Sequence, residues 1–261
     1  MERRLKIVGI GTGKLAHQLY PAIQSAGHEI IQVFNRSAKS KEWVENELKT
    51  SFTDDPRHLN RGAEIYIMAV SDDAISSLAP ELSFPNSFFV HCSGATAISE
   101  INGYGVRRGV FYPLLSFDGK ESINWKQTPL LIEAQDQGDK VNLEILANSL
   151  SKKVFEMDSR QRGLLHLSAV LSQNFSNHLI ALAQQVCNES KVPFDLLLPL
   201  LDESNKRIQN GEEATDVQTG PAIRKDAKTI DRHLYLLREW PEIREVYRIL
   251  TASIQNYHNK K

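Results

Sequence analysis

Cysteine is nearly absent: Cys92 and Cys187 are the only two, far apart and in no Cys-x-x-Cys pair. That excludes a disulfide framework and makes a reducing cytoplasm the expected compartment. A surplus of either charge is missing as well, with 31 Lys and Arg against 32 Asp and Glu. Without a basic excess, neither nucleic acid nor an anionic membrane is expected as a partner. No apolar run approaches the ~20 residues that span a bilayer. The start, "MERRLKIVGI", enters a strand-like run at once and carries no signal-peptide core. The eight histidines form no His-x-x-x-His pair with suitable carboxylates, so no metal site is expected.

What is present is alternation. "LKIVGI", "EIIQVFN", "AEIYIMAV" and "SFFVHCSG" are apolar and rich in branched or aromatic residues, and "GVFYPL", "TPLLIEA" and "KVFEMD" follow as shorter runs. Seven strands are expected, separated by helical patterns, which implies right-handed crossovers and a mostly parallel sheet over residues 1–157. After the first strand, Leu15, Leu19, Ile23 and Ala26 recur at helical spacing, Pro21 should kink or shorten that helix, and Gly27 suits its C-terminal cap. From residue 158 the character changes. Leu164, Leu167, Leu171, Phe175, Leu179, Leu182 and Val186 recur every three or four residues, the stripe of one long helix. Pro193, Pro221 and Pro241 each suit the start of a further helix, with a kink expected at Pro199. Residues 158–261 are thus expected to be all-helical, and the whole chain α/β of Rossmann type followed by an all-α domain.

The segment "GTGKLA" fits Gly-x-Gly-x-x-Ala. Gly11 permits the tight turn, Gly13 lets a pyrophosphate approach the backbone, and Ala16 keeps the helix close to the sheet. Thr12, Lys14 and Leu15 bring their amides to the same helix N-terminus, where the dipole favours phosphate. The second strand ends in Asn35, Arg36 and Ser37, where NAD sites usually place an acid. A carboxylate repels a 2′-phosphate, whereas a guanidinium pairs with it through charge-assisted bonds of roughly 1.5–3 kcal/mol. NADP is the cofactor expected. Two further strand ends point at the ligand crevice: Val70, Ser71, Asp72 and Asp73, and then His91, Cys92, Ser93 and Gly94. Ser71 and Asp72 serve either the ligand or the cap of the next helix. His91 is either a nicotinamide-side group or a buried structural histidine.

The ordered set "GIGTGKLA", "NRS", "AVSDDAI", "HCSGATAI", "GVFYPLLSF", "HLSAVLSQNFSNHL" and "TGPAIRKDAKTIDRHLYLL" resembles a bacterial family of Rossmann-like proteins labelled NADP oxidoreductases. The C-terminal half of that family is catalogued only as a domain of unknown function. The family is similar in build to pyrroline-5-carboxylate reductase, to 6-phosphogluconate and β-hydroxyacid dehydrogenases, and to deazaflavin-dependent NADP reductases. The resemblance implies a helical domain like the C-terminal domain of 6-phosphogluconate dehydrogenase, which often mediates dimerisation; a homodimer is therefore expected. It supplies no substrate.

Hydride transfer to a carbonyl or imine leaves charge on oxygen or nitrogen that a proton donor must meet. In the β-hydroxyacid dehydrogenases a lysine on the first interdomain helix serves, with an asparagine about a turn later. This chain departs from that pattern, having no lysine between Lys153 and Lys191. His166 is the candidate acid instead, with Asn174 and Asn177 roughly on its face to orient substrate. The same three groups would serve equally to hold the helix against the nucleotide domain. Tyr112, in a strand-end loop facing the crevice, either donates a hydrogen bond or packs. Arg224 and Asp226 either reach a partner subunit's cleft or pair on a helix surface. An NADP-dependent oxidoreductase acting on a small keto, imino or hydroxy compound is the leading expectation. A non-catalytic NADP-binding regulator and an NADP reductase using a deazaflavin are the alternatives.

Overall fold

The computed structural model describes residues 3–117, 119 and 121–259. The chain divides into two compact units, residues 1–174 and 175–261. The change of composition near residue 158 falls between the last strand of the first unit and the helix that follows it.

Among its described residues the first unit holds eight strands: β1 (Lys6–Ile10), β2 (Glu29–Phe34), β3 (Ser51–Thr53), β4 (Ile65–Met68), β5 (Phe88–His91), β6 (Arg107–Pro113), β7 (Leu130–Ala134) and β8 (Val154–Glu156). Their order across the sheet is β3-β2-β1-β4-β5-β6-β7-β8. Strands β1 to β6 are parallel, β7 runs antiparallel to β6, and β8 is parallel to β7. The order reverses between β1 and β4, which makes the carboxyl ends of these two neighbours the place for a ligand. Strand β3 is the one the sequence pattern misses; "SFT" is too short to show alternation. Tyr112 lies inside β6 rather than in a loop after it.

A parallel sheet must be covered on both faces, and alternate side chains of β1 show how. Ile7 packs with α1 (Lys14–Ser25) in one buried cluster, which also takes in α3 (Gln137–Leu150). Val8 and Ile10 pack on the other side with α2 (Asp72–Leu82). Helix α1 runs through Pro21 and ends one turn later, with Gly27 at φ +93°. Residues 159–189 are helical but not one regular helix. They form α4 (Ser159–Ala169), a π-helical turn over Val170–Phe175, and α5 (Ser176–Glu189). The wider π turn shifts the register of the apolar stripe part-way along.

The second unit adds α6 (Leu198–Gln209), α7 (Ala214–Val217), α8 (Ala227–Leu236) and α9 (Pro241–His258). Pro199 does not kink α6; it is in its first turn, where no intrahelical amide bond is lost. Pro221 precedes α8 by a separate turn, and Asp226 caps the helix by accepting from the Thr229 amide at 3.1 Å. Pro241 does open α9. Among the described residues, Ala222 is the one buried hydrophobic side chain of this unit.

A buried ion pair fixes the start of α4. Asp158 and Gln161 form a reciprocal capping box at its N-terminus. One turn in, Arg162 is 1% exposed; its guanidinium is paired with Glu133 of β7 and donates to the Thr96 carbonyl at 2.6 Å. Ser159 donates to both oxygens of Glu133 and accepts from the Ile98 amide. The loop after β5, residues 93–98, is thereby tied to α4. The same loop is held from within by Ser93, whose hydroxyl accepts from the amides of Ala95 and Thr96. His91 supports it from below, with Nδ1 accepting from the Ser93 amide at 3.1 Å. Burial pulls the His91 pKa down to about 4, and the positive charge of Arg162 adds to the effect. The imidazole is therefore neutral.

Glu133→Gln strands a buried guanidinium and should cost about 3 kcal/mol or more, whereas the paired change Glu133→Leu/Arg162→Met should recover most of it. Denaturant melts of both variants check this, and equal instability would contradict it. The depressed His91 pKa gives stability that is full above about pH 6.5 and is lost as pH falls towards about 4, because only the unfolded chain takes up the proton there. Wild type should lose about 2 kcal/mol more than His91→Asn between pH 6.5 and 5 in the same melts.

Candidate functional site

Strand β1 ends in the glycine turn, and the turn is dictated by β4. Gly11 has φ +95°, and a Cβ there would lie 2.5 Å from the Ala69 carbonyl oxygen and 2.7 Å from Val70. No side chain fits. Gly13 differs, because the nearest atom to a Cβ there is the Ala69 oxygen at 4.0 Å. The protein leaves space at Gly13 that a ligand can enter. Gly13 also begins α1, and no side chain caps that helix, so its first amides stay open to an anion. Ala16 is fully buried beneath them and lets α1 lie close to the sheet.

A cleft of about 570 Å3 opens over this turn. Gly11, Thr12, Gly13, Lys14, Leu15, Asn35, Arg36, Val70, Ser71 and Cys92 all line it, which joins the ends of β1, β2, β4 and β5. Ser37 and Ser93, expected beside them, are engaged elsewhere. Ser37 caps a short turn by accepting from the Lys39 amide, and Ser93 knots the loop after β5. Ser71 begins α2 but makes no side-chain cap, and Asp72 is its first helical residue. Arg36 is on the cleft rim with its guanidinium paired to Glu81 of α2 at 2.7 Å. Burial pushes the Cys92 thiol up to about 12, so it stays protonated and is no nucleophile.

A glycine, a tyrosine and a histidine meet two residues beyond Cys92. A Cβ on Gly94 would lie 2.6 Å from the Tyr112 ring and 2.7 Å from His166 Nδ1. The Tyr112 hydroxyl and His166 Nδ1 are hydrogen-bonded at 3.1 Å. Burial raises the Tyr112 pKa and the Asp72 charge adds to it, so the hydroxyl keeps its proton. Tyr112, His166 and Asn174 line one cavity of about 500 Å3, together with Ser116 and Gln173 and the apolar Leu114, Phe117 and Val170. The π-helical turn supplies Val170, Gln173 and Asn174 to that lining. Asn177 belongs to α5 in the second unit and is not among the lining residues. Arg224 and Asp226 also belong to the second unit, where Asp226 is occupied in capping α8.

Three residues escaped the sequence reading: Glu81, Glu133 and Arg162. Arg162 had a signal, since it precedes His166 by four residues and so shares its helix face. The other two had none, because each is defined by a partner distant in sequence. Among the described residues, no group of three His, Cys, Asp or Glu side chains could hold a metal ion. No helix is long and apolar enough to cross a membrane among them.

Residues 6–93 match the family "NADP oxidoreductase coenzyme F420-dependent", and residues 128–254 match the "Domain of unknown function (DUF2520)". No curated protein sequence matches the chain. Among solved structures, a Bacteroides fragilis protein described as a "putative NADP oxidoreductase" is 34% identical, with a TM-score of 0.84 over 97% of this chain and 98% of its own. The 1-pyrroline-5-carboxylate reductase of Streptococcus pyogenes shares the fold at 13% identity and a TM-score of 0.62, over 97% and 99% of the two chains. An imine reductase variant from Myxococcus stipitatus, solved with NAD+, does so at 15% and 0.64, over 99% and 95%. At 34% identity over nearly the whole length of both chains, the chain belongs to the same family as the Bacteroides protein, the Rossmann-type NADP oxidoreductases.

Proposed function

We propose that the protein transfers hydride between NADP(H) and a small keto, imino or hydroxy compound, with Tyr112 and His166 handling the proton. The observation that carries this is the meeting of Gly94, Tyr112 and His166 two residues from Cys92, a lining residue of the nucleotide cleft. The cleft fits a dinucleotide on three counts. The turn has no room for a Cβ at Gly11, it leaves space at Gly13, and the first amides of α1 are open. Gly13 and α1 would hold the diphosphate, and Arg36 would take the 2′-phosphate that distinguishes NADP.

When bound, the cofactor supplies or accepts the hydride. The chain does the rest. The cavity beside the dyad holds a small substrate, with the amides of Gln173 and Asn174 available to orient it. In the reducing direction, charge developing on the substrate's oxygen or nitrogen is met by a proton from His166 or from the Tyr112 hydroxyl. The hydrogen bond between these two lets one reload the other. In the oxidising direction the pair accepts the proton. Gly94 matters because any side chain there would push into both rings.

We further propose a homodimer in the reducing cytoplasm. In the first unit Leu164, Leu167 and Leu171 are more than half exposed; in the second so are Phe175, Leu196 and Leu200. A helical unit with one buried hydrophobic side chain among its described residues needs a further surface to cover it, and a second copy is the simplest. The cysteines Cys92 and Cys187 are both free, which suits a reducing compartment.

His166→Asn should lower turnover of NADPH by roughly 100-fold or more while the NADPH dissociation constant stays within about twofold. A panel of cyclic imines and keto acids, followed at the nicotinamide absorbance band, provides the assay. Undiminished turnover by the variant would remove His166 from the reaction. Tight NADPH binding by wild type, with no turnover of any compound, would favour the non-catalytic reading.

A further inference from the structure

Arg36 is not a free cation waiting for a phosphate. Its Nη2 donates to Glu81 Oε2 at 2.7 Å, with the two side chains 58% and 39% exposed. Glu81 is on the last turn of α2, three residues after Leu78, which lines the nucleotide cleft with Arg36. A carboxylate therefore stands at the adenosine end of the cleft after all, supplied by α2 instead of by the end of β2.

We infer that Glu81 sets the cofactor selectivity of this cleft by competing with the 2′-phosphate for Arg36. The inference rests on the NADP reading of Arg36 given above. With Glu81 in place, the guanidinium is electrically balanced before any ligand arrives. A 2′-phosphate brings up to two negative charges to the same group, so it must displace Glu81 or share Arg36 with it. Sharing places two anions within a few ångströms of each other. The pair is exposed enough to open, because ion pairs at the surface are weakly held. A cofactor without the 2′-phosphate leaves the pair intact. Glu81 thus weakens the binding of NADPH while leaving NADH alone, and the preference of the wild-type chain is smaller than Arg36 by itself would produce.

One arginine donor is engaged by Glu81, and the guanidinium has five. A different outcome is therefore open to test: Glu81 could hold Arg36 in the posture that receives the phosphate. The two roles have opposite signs. Competition predicts that removing the carboxylate charge tightens NADPH binding, and support predicts that it loosens it. Charge balance favours competition, since the phosphate gains a whole unpaired cation when Glu81 is neutral.

The test is a fluorescence titration of the full-length chain with NADPH and with NADH. Wild type, Glu81→Gln, Glu81→Lys, Arg36→Gln and the double variant Arg36→Gln/Glu81→Gln are compared at one fixed ionic strength. Glu81→Gln should tighten NADPH by about three- to tenfold, as expected for one charge removed at a few ångströms near a protein surface. NADH should change by less than about twofold. Glu81→Lys should go further in the same direction, and the double variant should lose the gain. An unchanged or weaker NADPH affinity in Glu81→Gln would overturn the inference while leaving the NADP reading in place. Equal affinity of wild type for both cofactors, unaltered by Arg36→Gln, would overturn the NADP reading itself and the inference with it.

Discussion

The contact on which the site depends is the approach of Gly11 to the Ala69 carbonyl. Strands β1 and β4 are neighbours at the point where the sheet order reverses, so the chain leaving β1 must turn against the end of β4. The available gap, 2.5 Å to a hypothetical Cβ, admits glycine and nothing else, in a conformation that L side chains rarely adopt. That turn delivers α1 with its first amides uncapped over a cleft whose other walls are the ends of β2, β4 and β5. A fold constraint and the proposed binding surface are here the same atoms. The positive end of the helix dipole is displayed because the sheet leaves the backbone no other exit.

The proposed proton-handling pair is placed by a second constraint, the buried pair Arg162–Glu133. It joins α4 to β7 and, through Thr96 and Ser159, to the loop that carries Gly94. His166 follows Arg162 by four residues on α4, so the clamp on one sets the position of the other. Tyr112 comes from β6, whose register with β5 and β7 is fixed by the sheet. The Tyr112–His166 hydrogen bond is therefore built from a strand and a helix that are both anchored to β7. Such anchoring is what the proposed role in proton transfer needs, since the geometry must be held without help from the substrate.

Much of this was legible in the sequence, for physical reasons. Buried parallel strands must be apolar on both faces, so β1, β2, β4 and β5 stand out as unbroken runs. The glycine turn was readable because one side chain would not fit, and Arg36 because it occupies a position where chemistry demands a choice of sign. His166 stood out by the lack of lysine across a long helix. What could not be read depends on long-range partners. Arg162 and Glu133 are separated by 29 residues, and Arg36 and Glu81 by 45, with no local pattern linking them. The π-helical turn was hidden because Val170–Phe175 continues an apolar spacing that a regular helix would also produce. Strand β3 was hidden by its brevity, and Pro199 misled because a proline in the first turn looks, in sequence, like one that kinks.

The central claim is that the cleft over Gly11 and Gly13 takes the diphosphate of a dinucleotide, and calorimetric titration with NADPH tests it most directly. Gly13 sits at φ −75°, an ordinary conformation, and its nearest neighbour leaves room for a side chain. Gly13→Val should therefore still fold, with its Tm lowered slightly because Val is a poorer helix N-cap than Gly, yet fill the space into which the diphosphate must come. The account predicts saturable binding of one NADPH per wild-type chain, and its loss in Gly13→Val. No heat from wild type at millimolar NADPH, or equal binding by the folded variant, would contradict it.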